Sequence, residues 1–265
     1  MSLDLLRAAL EEGGGGVVSV ALCSARLLPV AFLCPLLGGQ ATPMPVKLAV
    51  VLSLALFLHH GAGVALSAPV TSPVGLMALT LKELSYGTVL GLVAALPFDA
   101  ARMGGRFIDL FRGTSAEASL PVTGTRESAS GEMLYQLLVG LAMTRGPMPW
   151  VLAGVLRSFG PVRLGAYVPS EGVSLQVVGL VGQALSTGLS VGVPVAVVTM
   201  TVDGLLGVLS RVAPALNARD LGAPLRILAG GALLWLGVGA LCERLWVDVL
   251  AVEDVLGRLT WGHGE

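Results

Sequence analysis

Long apolar runs, separated by short polar stretches, dominate the pattern of residues along this chain. Most of them hold the roughly 20 residues that an α-helix needs to cross a hydrocarbon core about 30 Å thick. The pattern predicts at least six helices, at residues 17–37, 47–68, 74–97, 133–156, 173–210 and 225–247. The fifth run is too long for one crossing, so we expect it to break, tilt strongly or protrude, with a kink at Pro194.

One polar stretch follows the third apolar run. Pro97 is a residue type that favours the first turn of a helix, and Gly113 is one that favours the end of a helix. At about 100° per residue, the charged side chains between them fall within an arc of about 140°. This spacing predicts an amphipathic helix over residues 97–112. Beyond it, Thr114 and Glu117 fit a capping box, which predicts a second short helix.

The charged face of the predicted amphipathic helix, here called the seam, consists of Asp99, Arg102, Arg106, Asp109 and Arg112. Its spacings permit three ion pairs, namely Asp99–Arg102, Arg106–Asp109 and Asp109–Arg112. The pattern alone favours a solvated surface helix between two membrane spans. The alternative is a seam that faces a protein partner or an aqueous passage.

Isolated charges also lie inside the apolar runs, at Arg26, Lys82, Glu83, Arg145 and Asp203. Each costs roughly 2.5–3.5 kcal/mol at the centre of a bilayer, so each requires a protein partner or a wet cavity. Lys82 and Glu83 are neighbours whose side chains leave a helix in different directions. We therefore expect neither to neutralise the other well.

Two pairs of glycines have the spacing G-x-x-x-G, which lets helix backbones approach closely. The pairs are Gly87 with Gly91 and Gly188 with Gly192. The spacing predicts close helix packing. It leaves open whether the partner helix lies in this chain or in another subunit.

Composition sets the class of protein. Of the 265 residues, 54% are hydrophobic and 12% are charged, whereas soluble domains carry about 25% charged residues. With a mean hydropathy of +0.84, the chain is predicted to be an all-α integral membrane protein. The net charge of −1, without a lysine or arginine cluster, argues against nucleic acid as a partner. No nucleophile and base converge and no metal-ligand spacing occurs, so we expect no enzyme activity, catalytic residue, metal or cofactor.

The polar stretch carries the most specific motif. FIDLFRGTS resembles the signature of the export-apparatus T protein family of type III secretion systems, whose flagellar counterpart is flagellar biosynthetic protein R. The family pattern G-x-x-x-D-x-x-R-G-x-S is matched by Gly105, Asp109, Arg112, Gly113 and Ser115. A second block, LSRVAPALNARDLGAPLR, is similar to the family through Arg211, Pro214, Asn217, Leu221, Gly222, Pro224 and Arg226. The family's N-terminal arrangement is matched by Arg26, Pro35, Pro45 and Lys47, whereas Phe111, Ala215, Ala218 and Arg219 depart from the usual residues.

The resemblance implies a multi-pass subunit of a type III export apparatus, flagellar or injectisome, in the bacterial inner membrane. It implies about six partly kinked helices in a hairpin-rich arrangement that packs into a hetero-oligomeric helical channel. The subunit would form part of the portal through which unfolded proteins enter that channel. Its implied partners are the R, S and U subunits of the apparatus, the translocating substrates and membrane lipid. Residues 1–170 would resemble the R subunit, and residues 171–265 the helical hairpin of the S subunit.

The same resemblance suggests which residues contact other subunits or face the channel. They are Asp99, Arg102, Arg106, Asp109, Arg112, Gly113, Ser115, Arg211, Pro214, Asn217 and Arg226. We further expect residues 211–226, with Pro214 and Pro224 bounding a non-helical turn, to contact the U subunit. If the chain crosses six times, the excess of Lys and Arg places that turn in the cytoplasm.

Two other classes of function compete with this interpretation. A small secondary transporter would also combine broken apolar helices with intramembrane charges, but it would be expected to show internal repeats, which this sequence lacks. An intramembrane hydrolase or transferase would need a base beside its nucleophile, and Ser115 has none nearby in the sequence.

Overall fold

The computed structural model describes residues 3–39, 42–66, 72–114, 117–119, 126–145, 148–160, 162–165, 171–213 and 218–261. These residues are almost wholly helical, which confirms the predicted all-α class. The helices are α1 (Leu3–Leu33), α2 (Met44–His60), α3 (Pro73–Arg112), α4 (Ala129–Arg145), α5 (Met148–Arg157), α6 (Glu171–Val212) and α7 (Ala218–Trp261). A 3₁₀ turn spans Pro35–Leu37, and two short strands, β1 (Glu117–Ser119) and β2 (Arg126–Ser128), pair antiparallel.

Four helical segments of the described chain are long and apolar enough to cross a membrane. They are Gly15–Leu33, Pro73–Arg112, Val177–Val212 and Leu221–Val252, and the apolar helix α2 is shorter. The chain is thus a multi-pass membrane protein. The prediction of one helix over residues 133–156 is wrong, because α4 ends at Arg145 and α5 begins at Met148. Gly146 and Pro147, between them, are residue types that commonly end one helix and begin the next.

Three of the prolines that lie inside helices occur where the sequence pattern predicted a helix start, a kink or a turn. Pro97 does not begin a helix but lies within α3, and α6 continues through Pro194. Pro224 lies within α7, so residues 218–226 are helical and do not form the predicted non-helical turn. Proline removes one backbone hydrogen bond from a helix. Packing against neighbouring helices holds the remaining turns, and this is why prolines are tolerated in membrane helices.

The capping-box prediction after Gly113 is also wrong. Glu117 begins strand β1, which pairs with β2 in the register Glu117–Ser128, Ala118–Glu127 and Ser119–Arg126. The Thr114 hydroxyl, predicted to cap a new helix, instead donates to the Asp109 carboxylate at 3.3 Å. Glu117 therefore lies in a strand, although its local sequence pattern predicted a helix.

The chain forms two compact units, and the first comprises residues 1–95, 146–178 and 251–265. In it α1 and α2 pack antiparallel, with the Lys47 ammonium 4.7 Å from the centre of the Phe32 ring. Helix α3 crosses α1 at Gly87 and Gly91. A methyl group at Gly91 would lie 3.0 Å from the Pro29 carbonyl oxygen, and one at Gly87 would collide with the Arg26 carbonyl. The first G-x-x-x-G pair therefore packs on a helix of this chain.

The second unit comprises residues 96–145 and 179–250. Its helices α6 and α7 form an antiparallel hairpin, in which the Gln183 side-chain amide donates to the Asp248 carboxylate at 3.2 Å. The end of α3 packs on α6 through small residues. A methyl group at Gly192 would lie 2.7 Å from Phe107 Cβ, and one at Gly188 would collide with Met103. The second glycine pair also finds its partner within the chain.

Candidate functional site

Helix α3 ends in a glycine cap at the centre of the family-like motif. Gly113 has φ = 68°, a left-handed conformation that costs glycine little. The Gly113 N–H donates to the Leu110 carbonyl at 3.2 Å and the Thr114 N–H donates to the Asp109 carbonyl at 3.1 Å. These two bonds constitute a Schellman motif. The prediction that Gly113 ends the helix in a left-handed conformation is confirmed.

Asp109, one turn before this cap, ties the end of α3 to the start of α4. Its carboxylate accepts the Ser130 backbone N–H at 2.9 Å and the Ser130 hydroxyl at 2.5 Å. The first N–H groups of a helix lack intrahelical partners and carry partial positive charge. The Asp109 side chain, only 7% exposed, thus caps a helix that begins 20 residues later in the chain. Ser128 provides a local cap, since its hydroxyl accepts the Gly131 N–H at 3.0 Å.

Arg112 connects this cap to α7. Its guanidinium lies 3.7 Å from the Asp109 carboxylate, donates to the Ser130 hydroxyl at 3.4 Å, and donates to the Ile227 carbonyl at 3.4 Å. A methyl group at Gly230 would lie 2.5 Å from Arg112 Cγ, so the missing side chain makes room for the arginine. We call Asp109, Arg112, Gly113 and Ser130 the α3–α4 junction.

Arg102 lies on the same helix, nearly three turns before Arg112. Its guanidinium carbon is 3.6 Å from the centre of the Tyr135 ring, and its Nε donates to the Glu132 carboxylate at 3.4 Å. Glu132 in turn accepts the Gln136 amide at 2.6 Å. Arg102 therefore binds the face of α4 by cation–π and ionic contacts together.

The seam is thus divided between packed and exposed residues. Asp109, Arg112 and Arg102 are packed against α4, whereas Asp99 and Arg106 are exposed. Of the three predicted ion pairs, Asp109–Arg112 is present, and the other two stay predictions. Gly105, the first residue of the motif, packs so closely on Gly131 of α4 that no side chain would fit between them.

The second family-like block lies at the turn of the α6–α7 hairpin. Arg211 is exposed in the last turn of α6, and Arg226 forms a half-exposed ion pair with Asp203 at 3.4 Å. Pro214, Asn217 and, in the first block, Ser115 lie outside the described residues. The roles predicted for these residues at subunit contacts or in the channel remain predictions.

A second buried charged centre, which the sequence pattern only hinted at, lies in the first unit. Arg26 is fully buried, and its Nε donates to the Glu83 carboxylate at 2.6 Å. Its two terminal nitrogens donate to the carbonyls of Ser158 at 3.0 Å and Val162 at 2.9 Å. The Phe159 ring centre lies 4.2 Å from the guanidinium carbon. One arginine therefore joins α1, α3 and the turn after α5.

The expectation that Lys82 and Glu83 would not neutralise each other is wrong. Lys82 Nζ lies 2.9 Å from Glu83 Oε1, while the other carboxylate oxygen accepts Arg26. The flexible lysine chain bends toward its neighbour because both groups lie at a protein-packed face of α3, where leaving either charge uncompensated is costly. Arg145 and Asp203 also find partners, Glu243 at 2.9 Å and Arg226 at 3.4 Å.

Sequence reasoning missed the residues of α4 that receive the seam. The sequence Ser128-Ala-Ser130-Gly-Glu132 has the serines and the early glutamate of a helix start, a signal that could have identified it. No spacing rule relates Ser130 to Asp109 or Glu83 to Arg26. Within the described residues, no group of three or more His, Cys, Asp or Glu side chains is placed to hold a metal ion.

Comparison with known proteins assigns the chain to a family. The sequence profile of "Bacterial export proteins, family 1" matches residues 17–249. "Flagellar biosynthetic protein FliR" of Caulobacter vibrioides is 25% identical over 238 residues, which cover 88% of this chain and 92% of that protein. The FliR protein of Escherichia coli K12 is 24% identical over 243 residues, 88% and 91% of the two chains. "Yop proteins translocation protein T" of Yersinia pestis is 27% identical over 189 residues, 69% and 72%. The match spans both buried charged centres, and the chain belongs to the family of bacterial export proteins, family 1.

Proposed function

We propose that this chain is a subunit of a bacterial type III export apparatus, flagellar or injectisome, embedded in the inner membrane. It forms part of the portal through which unfolded proteins enter the export channel. The observation that carries the proposal is the family match over residues 17–249, with relatives named for flagellar biosynthesis and for Yop translocation. The chain acts by holding helices in place, without catalysing a reaction.

The exposed apolar surface supports an assembly. Helices α6 and α7 have 42 and 44 residues, which at 1.5 Å per residue is roughly 63–66 Å, about twice a hydrocarbon core. Only 11% of the apolar window of α7 is buried within the chain, compared with 67% for α3. Apolar surface that extends beyond the bilayer requires protein to cover it. Copies of the R and S subunits are the partners we propose for this surface.

The buried charged residues of the chain also support the proposal. The α3–α4 junction and the Arg26 centre fix helix ends with hydrogen bonds that water or lipid would otherwise disrupt. A rigid subunit can present its exposed residues, including Asp99, Arg106 and Arg211, to a neighbour or to the channel. We propose that the hairpin turn between α6 and α7 faces the cytoplasm and contacts the U subunit, with arginines meeting acidic side chains or lipid phosphates.

Gentle detergent purification of the tagged chain, followed by mass spectrometry, tests the proposal. We expect stoichiometric recovery of other export components together with the chain. A matched preparation of Asp109→Ala should lose those components, whereas Asp203→Ala, which removes a half-exposed carboxylate, should retain them. Recovery of the wild-type chain alone or as a homo-oligomer, with secretion intact in a strain that lacks it, would argue for a transporter instead.

A further inference from the structure

An open pocket of about 620 Å³ lies in the first unit, beyond the end of α2. One wall is the loop that follows α2, at residues 62–65, and the other is the end of α5 with the turn after it. Arg157 and Arg163 both line the pocket, together with the apolar side chains of Leu58, Leu156 and Leu164. No acidic residue lines it among the described part of the chain.

The two arginines differ from Arg26, the buried arginine of the same unit. Arg26 has its hydrogen bonds satisfied by a carboxylate and two carbonyls. Arg157 and Arg163 are exposed, and neither forms a hydrogen bond or ion pair with a residue that the structure describes. Two guanidinium groups that line one concave surface without a compensating carboxylate create a local positive potential. Guanidinium groups bind phosphate oxygens in bidentate geometry, so the chemistry of the pocket suits a phosphate group.

The depth of the pocket indicates the source of that phosphate. Gly16, at the first turn of the candidate span Gly15–Leu33, lies against the His59 ring near the end of α2. The Leu66 N–H, just past the pocket wall, donates to the Ser19 hydroxyl at 3.1 Å. The pocket is therefore level with one end of a membrane span. Phospholipid headgroups occupy this level, outside the hydrocarbon core.

An apolar path leads from the pocket along α2. Leu54, Val50 and Val46 follow one another at intervals of four residues and so form a single row on the helix surface, next to the buried Leu58 of the pocket wall. Leu54, Val50 and Val46 also line an apolar groove of about 500 Å³. From residue 54 to residue 46 the row extends about 12 Å, which is most of one leaflet of a hydrocarbon core about 30 Å thick. This length suits one acyl chain.

We propose that this surface is a binding site for one anionic phospholipid. Arg157 and Arg163 bind its phosphate, and an acyl chain lies along the row from Leu54 to Val46 on α2. The proposal concerns the first unit alone and does not depend on the export function. It assigns a ligand to two arginines that form no hydrogen bond or ion pair with the residues that the structure describes.

Native mass spectrometry of the full-length, delipidated chain in detergent tests the site. The chain is titrated with phosphatidylglycerol or with phosphatidylcholine that has the same acyl chains. We expect one phosphatidylglycerol to bind about tenfold more tightly than phosphatidylcholine, because each arginine near an anionic headgroup contributes on the order of 1 kcal/mol. In Arg157→Gln/Arg163→Gln the preference should fall below about twofold. Arg244→Gln, which removes another exposed arginine on α7, is the matched control and should keep the preference.

Additional arms separate the alternatives. Inorganic phosphate, added at the same concentration as the lipid, should not displace phosphatidylglycerol; equal displacement would mean a soluble anion site and overturn the lipid proposal. Equal binding of both lipids to the wild type would also overturn it. Thermal unfolding checks that the double variant is folded. If it is not, Arg163→Gln is compared with Arg163→Lys, which should retain part of the preference because it keeps the charge but loses the bidentate geometry. A preference in Arg163→Gln equal to that of the wild type would contradict the phosphate contact.

Discussion

Asp109 places one carboxylate against two kinds of positive charge, the N-terminal end of α4 and the Arg112 guanidinium. The two bonds to Ser130 are short, at 2.9 and 2.5 Å, whereas Arg112 lies 3.7 Å away. The cap is therefore the stronger part of the interaction, and the arginine adds to it. The sequence pattern predicted Asp109 to be one member of a series of ion pairs, but in the structure it acts chiefly as a helix cap.

Replacement of Asp109 by alanine should destabilise the chain by about 3 kcal/mol, because it removes the cap of α4 and leaves Arg112 short of a partner. Thermal unfolding in detergent measures the effect. Asp109→Asn retains an acceptor for the Ser130 N–H and should cost less. The control Asp203→Ala removes a half-exposed partner of Arg226 and should cost about 1 kcal/mol at most. Equal melting temperatures for Asp109→Ala and wild type would show that the cap is dispensable.

Gly113 offers a separate test, because space is not the constraint there. A methyl group at Gly113 would meet nothing within 4 Å, so only its left-handed φ of 68° opposes a side chain. Gly113→Ala should therefore cost about 1 kcal/mol, and Gly113→Asn less, since asparagine tolerates this conformation. Gly140, in the interior of α4, also has open space around it. Gly140→Ala should stabilise the chain slightly by helix propensity. Thermal unfolding measures both alanine variants. If Gly113→Ala raised the melting temperature as Gly140→Ala is expected to do, this would contradict the left-handed cap.

For single residues, the sequence predicts interactions between neighbours in the chain but not interactions between residues far apart in it. The glycine cap follows from the residue type and from the end of a helical pattern, so it could be predicted. The bonds from Asp109 to Ser130 and from Arg26 to Glu83 join residues 21 and 57 positions apart. No periodicity encodes such pairs. The sequence indicated that buried charges need partners, and only the packing determines which ones.

Among the elements, glycine pairs decide where helices approach. The spacing of Gly87 and Gly91 predicted a close contact between helices. Glycines create a smooth helix surface that many other helices could pack against, so the sequence did not reveal which helix is the partner. The structure brings α1 against this surface, with no room for a side chain at Gly87. The helix boundaries expected at Pro97 and Pro224 were mispredicted for a related reason: tertiary packing keeps a helix continuous through a proline that would end an isolated one.

Gly87→Ala should strongly impair folding, because its methyl group would collide with the Arg26 carbonyl on the backbone of α1, which cannot move aside as a side chain can. We expect a loss of roughly 3 kcal/mol and a fall in the yield of folded protein. Gly182→Ala on α6 provides the control, since that position has nothing within 4 Å. Size-exclusion profiles and melting temperatures of the two variants give the comparison. A normal profile for Gly87→Ala would mean that α1 and α3 are not held in this contact.

For the whole molecule, the orientation in the membrane can be tested at the turn between α6 and α7. We predict that the turn between α6 and α7 is cytoplasmic. Single cysteines at Ala215 and Ala218 should react with an impermeant maleimide only after the inner membrane is opened, and should crosslink to the U subunit. Labelling of residues 215 and 218 from outside would refute both the orientation and the contact.

The native cysteines permit this experiment. Cys23 and Cys34 are fully buried, and burial raises the pKa of the Cys34 thiol to about 11, so at neutral pH it stays protonated and unreactive. Thiolate formation at Cys34 would require a pH well above that of the labelling reaction. Cys242 is partly exposed and should first be replaced by serine.

The hairpin of α6 and α7 has a consequence for the abundance of this protein in the cell. A newly made copy displays apolar side chains along α6 from Leu175 to Val212, over a length that lipid alone cannot cover. We predict that such a copy is degraded by membrane quality-control proteases until partners cover that surface. Its abundance should follow the supply of partners and not the strength of its own promoter. A pulse-chase experiment in cells that lack the other export subunits should therefore show a half-life several-fold shorter than in complete cells, whatever the level of expression.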